Sequence, residues 1–255
     1  MDLDDLRRGL EECLEKKIPV LGVTAVFGTT QEGAVDDLRE ILDIRHEFIN
    51  RGLTFYIHVD GAWGGYFASC IYDQDQRRIS RPTIRPRSVP AKTAGPGGIN
   101  LRRNASFLTK QQSVVYLDSS LSSHFTAQLE CLKDANSITL DPHKSGFCPY
   151  PAGGLLYRNG NIRNFLAQGA AYISHGQGKN EEINLFGIDG SKPGAASAGV
   201  WLSHKVTGLN ADGYGLLLRQ SSFSAGIVSY KDNLSSKSSQ LKYFLDVRYV
   251  GQSWS

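Results

Sequence analysis

Lys144 and Asp60 are the residues of this chain best placed to do chemistry. Lys144 follows His143 in Ser137-Ile138-Thr139-Leu140-Asp141-Pro142-His143-Lys144, where a short apolar stretch ends abruptly at Asp-Pro. A strand that delivers a lysine into a loop at its carboxyl end supplies an amine. Once its ammonium is destabilised, that amine can attack a carbonyl carbon, which is Schiff-base chemistry. A solvated lysine after a turn would carry the same local sequence. Asp60 closes a second apolar run, Thr54 to Val59, ahead of Gly61-Ala62-Trp63-Gly64-Gly65. A carboxylate at the end of a buried strand is costly unless a cation neutralises it; it could equally cap a turn before Gly61. Thr30 lies just beyond a third run, Val20 to Phe27, in Gly28-Thr29-Thr30, where a threonine often satisfies only local backbone groups.

These side chains matter together only if the elements carrying them share an edge. Between the first two runs in chain order, Val35, Leu38, Ile41, Leu42, Ile44 and Phe48 recur close to helical spacing over Ala34 to Arg51. Strand, helix and strand in succession predict parallel pairing with a right-handed crossover. Ser137–Asp141 and Ala152–Tyr157 are expected to add strands. Lys192–Thr207 is expected to form a helix opening near Pro193, with Gly194, Ala195, Ala196, Ser197, Ala198 and Gly199 suited to close packing. The fold class is therefore α/β, a mostly parallel sheet flanked by helices. Ligands of such sheets sit beyond the carboxyl ends of the strands, where Thr30, Asp60 and Lys144 all fall. The leading carbonyl cofactor that wants both an amine and a carboxylate is pyridoxal 5′-phosphate (PLP). Its ring withdraws electrons well only while the pyridine nitrogen stays protonated, and a buried carboxylate holds that proton by charge pairing.

Four segments then resemble a known family: GTTQEGAVD (Gly28 to Asp36), HVDGAWGG (His58 to Gly65), DANSITLDPHKSGFCPYPAGGLLYRNG (Asp134 to Gly160) and GIDGSKPGAASAGVWLSHKV (Gly187 to Val206). Together they are similar to the PLP-dependent amino-acid decarboxylases of fold type I, nearest the tyrosine and aspartate decarboxylase branch, over residues 1–73 and 114–218. The resemblance implies part of a PLP-binding large domain that decarboxylates an L-amino acid to its amine and works as a homodimer. It implies that Lys144 forms the Schiff base, Asp60 pairs with the pyridine nitrogen and Ala62 packs against the ring. Thr30 would sit at the cofactor's edge and His143 near its phosphate. At Asp141, relatives often carry an asparagine that helps hold the phosphate; an ionised aspartate cannot donate in that way. Tyr172 matches the mobile-loop tyrosine that returns a proton after carbon dioxide leaves.

The remaining sequence sets limits. With 255 residues, 40% hydrophobic and no uninterrupted run of about 18 apolar residues, nothing points to a membrane span. Cys13, Cys70, Cys131 and Cys148 are scattered without metal-ligand spacing, which fits reduced thiols in a cytoplasmic protein and no metal site. Residues 74–113 hold eight basic residues from Arg77 to Arg103, broken by prolines and glycines; this composition predicts a disordered insertion rather than a nucleic-acid surface. Residues 219–255 form a divergent serine-rich tail with little periodicity, although Leu241 to Leu245 could add a short element. Met1 opens directly on an amphipathic helix, so the segment supplying most phosphate contacts is expected to lie outside this sequence. Two alternatives therefore stay open: a catalytically inactive remnant of such an enzyme, or a PLP-dependent carbon–carbon lyase of the same fold.

Overall fold

The computed structural model describes residues 1–79, 116–166, 193–235 and 245–250. The chain opens on helix α1 (Leu3–Glu15), started by the Asp2 carboxylate, which accepts hydrogen bonds of 3.0 Å from the amides of Asp4 and Asp5. Strand β1 (Gly22–Val26), helix α2 (Leu38–Asn50) and strand β2 (Tyr56–Asp60) follow, and the two strands pair in parallel with Val26 opposite Asp60. The predicted strand–helix–strand unit is thus present, with tighter limits. Residues 34–36 are bound back to the end of β1, because Gly28 N–H donates to Ala34 O (3.0 Å) and Asp36 N–H to Val26 O (2.9 Å). The helix can begin only after Asp37, whose side chain caps the Glu40 amide at 3.1 Å.

Beyond a 3₁₀ segment over Gly65–Ile71 come strand β3 (Tyr116–Leu121) and helix α3 (Ser123–Cys131). Strand β4 (Ser137–Leu140) then pairs parallel with β2, and strand β5 (Gly154–Tyr157) pairs antiparallel with β4. The sheet order is β1-β2-β4-β5. The last elements are helix α4 (Gly194–Thr207), helix α5 (Tyr214–Ser235) and strand β6 (Leu245–Val250), which pairs antiparallel with β3 as a separate ribbon. Helix α5 therefore continues through Ser235, well into the serine-rich stretch that shows little periodicity as sequence.

The core forms where α2 lies on the sheet. Leu38, Ile41, Ile44 and Phe48 of α2 are completely buried with Ile57 and Val59 of β2. Phe27, Phe67 and Phe125 interlock beside them, with ring centroids 5.4 and 5.5 Å apart. Full burial of a large side chain stabilises by about 1.5–3 kcal/mol, so this cluster dominates the fold's energetics. Among the described residues, added Cβ atoms at Gly194 and Gly199 of α4 would find open space, and Trp201 is 62% exposed. The predicted insertion over 74–113 and the loop around Tyr172 lie largely or wholly outside the described residues.

Candidate active site

Asp60 is the last residue of β2 and sits opposite Thr139 of β4. Its Oδ1 accepts a hydrogen bond from the Ala62 amide at 3.2 Å, and among the described residues it forms no ion pair. The loop Gly61–Gly65 is pressed between the neighbouring strands. A Cβ on Gly61 would stand 3.0 Å from Thr139 O, one on Gly64 2.2 Å from Phe27 O, and one on Gly65 2.0 Å from Leu140 Cδ2. The glycines therefore allow the Asp60 loop to touch both β1 and β4, which fixes the aspartate at the sheet's carboxyl edge.

Lys144 reaches the same edge from β4. The turn after Leu140 closes through Lys144 N–H to Asp141 O (2.9 Å) and Cys148 N–H to Pro142 O (2.9 Å), with Phe147 left-handed at φ 52°. Two hydrogen bonds stitch this turn to the Asp60 loop: Asp141 N–H donates to Ala62 O (3.3 Å), and the Ser145 hydroxyl donates to Trp63 O. The two loops are therefore built as one unit.

The lysine side chain is 40% exposed, and its Nζ lies 2.7 Å from Asp141 Oδ2. The hydrogen bond it donates to that carboxylate holds the ammonium above its ordinary range, and the charge of Asp60 adds to the effect. The cause is the carboxylate three residues earlier. His143 Nε2 stands 3.6 Å from the same oxygen, and its ring stacks on Tyr150 with centroids 3.9 Å apart. Asp141 is thus occupied by two neighbours on its own loop.

The other expected residues divide. Ala62 is half-buried between Asp60 and the lysine loop. Thr30 is exposed in its turn, while Thr29 does the local work, accepting from the Ala34 amide at 3.0 Å. Tyr172 lies outside the described residues. Sequence reasoning missed a polar cluster behind the lysine loop: the Tyr66 hydroxyl lies 2.9 Å from His204 Nε2, and Ser203 Oγ lies 2.6 Å from the Tyr214 hydroxyl. Burial pushes the Tyr66 phenol up and holds His204 below its ordinary value. The Tyr66 ring also abuts Gly146, where an added Cβ would come within 2.7 Å of Cζ. No motif signals the Tyr66–His204 contact, because its partners are 138 residues apart. The pairing of Asp141 with Lys144 did have a signal, a carboxylate three residues before an amine across a turn.

An amine and a carboxylate on adjoining loops, at the carboxyl edge of a parallel sheet, suit PLP: one group to capture an aldehyde, one to hold a ring proton. Asp141 suits the phosphate poorly, since an ionised carboxylate only accepts and this one is already engaged. The class of fold is shared with mouse CSAD in apo form, which superposes with a TM-score of 0.55 at 18% identity over 93% of this chain and 37% of that one. The sequence comparison goes further. The model described as the pyridoxal-dependent decarboxylase conserved domain matches residues 1–83. An L-tyrosine decarboxylase of Enterococcus faecium is 33% identical over 222 residues, covering 86% of this chain and 32% of that protein. An L-aspartate decarboxylase of Thermococcus kodakarensis is 28% identical over 204 residues, covering 79% of this chain and 38% of that protein. The chain thus matches the pyridoxal-dependent decarboxylase family over residues 1–83 and spans about a third of the length of these curated relatives. Among the described residues no helix is long and apolar enough to cross a membrane.

Proposed function

We propose that this chain carries the aldehyde-capturing part of a PLP-dependent carboxy-lyase that converts an L-amino acid to its amine. The observation that carries the reading is the meeting of the Lys144 and Asp60 loops at one sheet edge, tied by Asp141 N–H to Ala62 O and Ser145 O–H to Trp63 O. The family match and the named activities of the relatives support it. When bound, PLP supplies an electron sink for the pair left behind as carbon dioxide departs. The chain's own groups do the rest. Lys144 Nζ gives the nucleophile, and Asp60 keeps a proton on the ring nitrogen. Ala62 offers a small apolar surface beside Asp60, and His143, on the lysine's own loop, is assigned to the phosphate end. Tyr172 is assigned the return of a proton to the substrate α-carbon.

Spectroscopy tests this directly. The purified chain mixed with PLP is expected to develop a visible Schiff-base band that Lys144→Ala abolishes, and with L-tyrosine or L-aspartate to release the corresponding amine. A wild-type chain with no such band would favour the inactive-remnant reading, and a product that retains the carboxylate would favour the carbon–carbon lyase.

A further inference from the structure

Asp141 occupies the position from which the resemblance would have a side chain hold the cofactor's phosphate, yet its surroundings describe another task. Oδ2 takes the Lys144 ammonium at 2.7 Å and faces His143 Nε2 at 3.6 Å. Oδ1 lies on the side of Gly153, where an added Cβ would be 3.6 Å away. The Ala152 amide donates to His143 Nδ1 at 3.2 Å, which leaves the lone pair on Nδ1 and directs the remaining ring proton, on Nε2, toward the carboxylate. The side chain of Asp141 is only 15% exposed, whereas that of Lys144 is 40% exposed. The aspartate is thus the fixed member of the pair and the lysine the movable one.

We propose that Asp141 is a positioning residue, a lock that holds Lys144 as an immobile ammonium until an aldehyde displaces it, and not an anchor for the phosphate. The inference rests on the reading of Lys144 as the capturing amine. Capture requires the ammonium to give its proton to solvent and leave the carboxylate. The free amine's lone pair then forms the C–N bond, the carbonyl π pair moves to oxygen, and the nitrogen's two protons pass through solvent to that oxygen, which departs as water as the nitrogen's electron pair closes the C=N bond. The charged and titratable groups acting on Lys144 among the described residues are Asp141 and Tyr150 of its own loop and Asp60 of β2. Of these only Asp141 touches the ammonium.

The test compares wild type with Asp141→Asn, which keeps the shape and removes the charge. Reductive methylation with formaldehyde and cyanoborohydride, mapped by mass spectrometry across pH, reads the availability of the Lys144 amine without any cofactor, with exposed Lys17 as internal reference. Asp141→Asn is expected to move the Lys144 midpoint to lower pH and to speed its labelling about two- to fivefold at a fixed pH, the size set by a pair whose lysine stays partly exposed to solvent. Lys17 should not change. An unmoved midpoint, or one that rises, overturns the lock. A second arm measures borohydride-trapped adducts of pyridoxal and of its 5′-phosphate. A lock predicts the same gain for both aldehydes, while a gain confined to the phosphate ester would make Asp141 a phosphate neighbour and overturn the proposal. If formaldehyde labelling responds as expected but neither pyridoxal form is trapped on Lys144, the lock stands and the functional reading fails.

Discussion

Replacing Gly64 by alanine separates steric fit from backbone strain. Gly64 has φ −87° and ψ −15°, a conformation that any L-residue adopts freely, so alanine meets no torsional penalty there. The obstacle is space: the new methyl would lie 2.2 Å from Phe27 O, 2.9 Å from Phe27 Cδ1 and 3.0 Å from the Phe27 carbonyl carbon. A carbonyl held in the backbone cannot turn aside as a side-chain end could, so the Asp60 loop must retreat from β1. Retreat also stretches the 3.0 Å hydrogen bond from Gly64 N–H to Phe27 O. Overpacking of this kind costs about 1–3 kcal/mol, and a weakened hydrogen bond adds about 1 kcal/mol. Gly64→Ala is thus expected to lose about 2–4 kcal/mol of stability. Gly9 supplies the control. It lies inside α1 with nothing within 4 Å of an added Cβ, so Gly9→Ala should gain about 0.5–1 kcal/mol through helix propensity alone. Urea unfolding of both variants, with unchanged m-values, measures the two effects. A Gly64→Ala variant as stable as wild type, or two variants shifting in the same direction, would refute the claim that this loop is wedged against β1.

Two further outcomes follow from buried titratable groups. Cys70 is fully buried and burial pushes its thiol up to about 12, so it should resist alkylation in the native state while half-buried Cys13 reacts; equal labelling of the two thiols would show that the 3₁₀ segment opens readily. Burial holds His204 below its ordinary value of 6.5, so the unfolded chain binds a proton that the native chain refuses. The stability this residue contributes is therefore present above pH 6.5 and lost as pH falls below it. Melting curves on either side of that pH should show a steeper acid decline in wild type than in His204→Gln, and parallel declines would exclude His204 as the cause.

Much of the architecture was legible because short-range signals agreed. The period of Leu38, Ile41, Ile44 and Phe48 announces a helix with one buried face, and the β-branched runs on either side announce strands that such a helix can cross over. Limits were less legible, since the start of α2 depends on how residues 34–36 hydrogen-bond to a strand ten residues earlier. The Gly-Gly at 64 and 65 reads as a flexible turn in one dimension. In three it is a contact surface, because Phe27 and Leu140 come from opposite sides.

For the site, residue type and order by themselves determined that an amine and a carboxylate would stand at strand ends, because apolar runs terminate at Asp60 and just before Lys144 and parallel strands share a direction. Tertiary structure decided what each group touches. Lys144 donates to Asp141, Asp60 accepts from the Ala62 amide, and Tyr66 and His204 back the lysine loop from segments remote in sequence. Charge pairing depends on ångström-scale separations, and only the folded chain sets those.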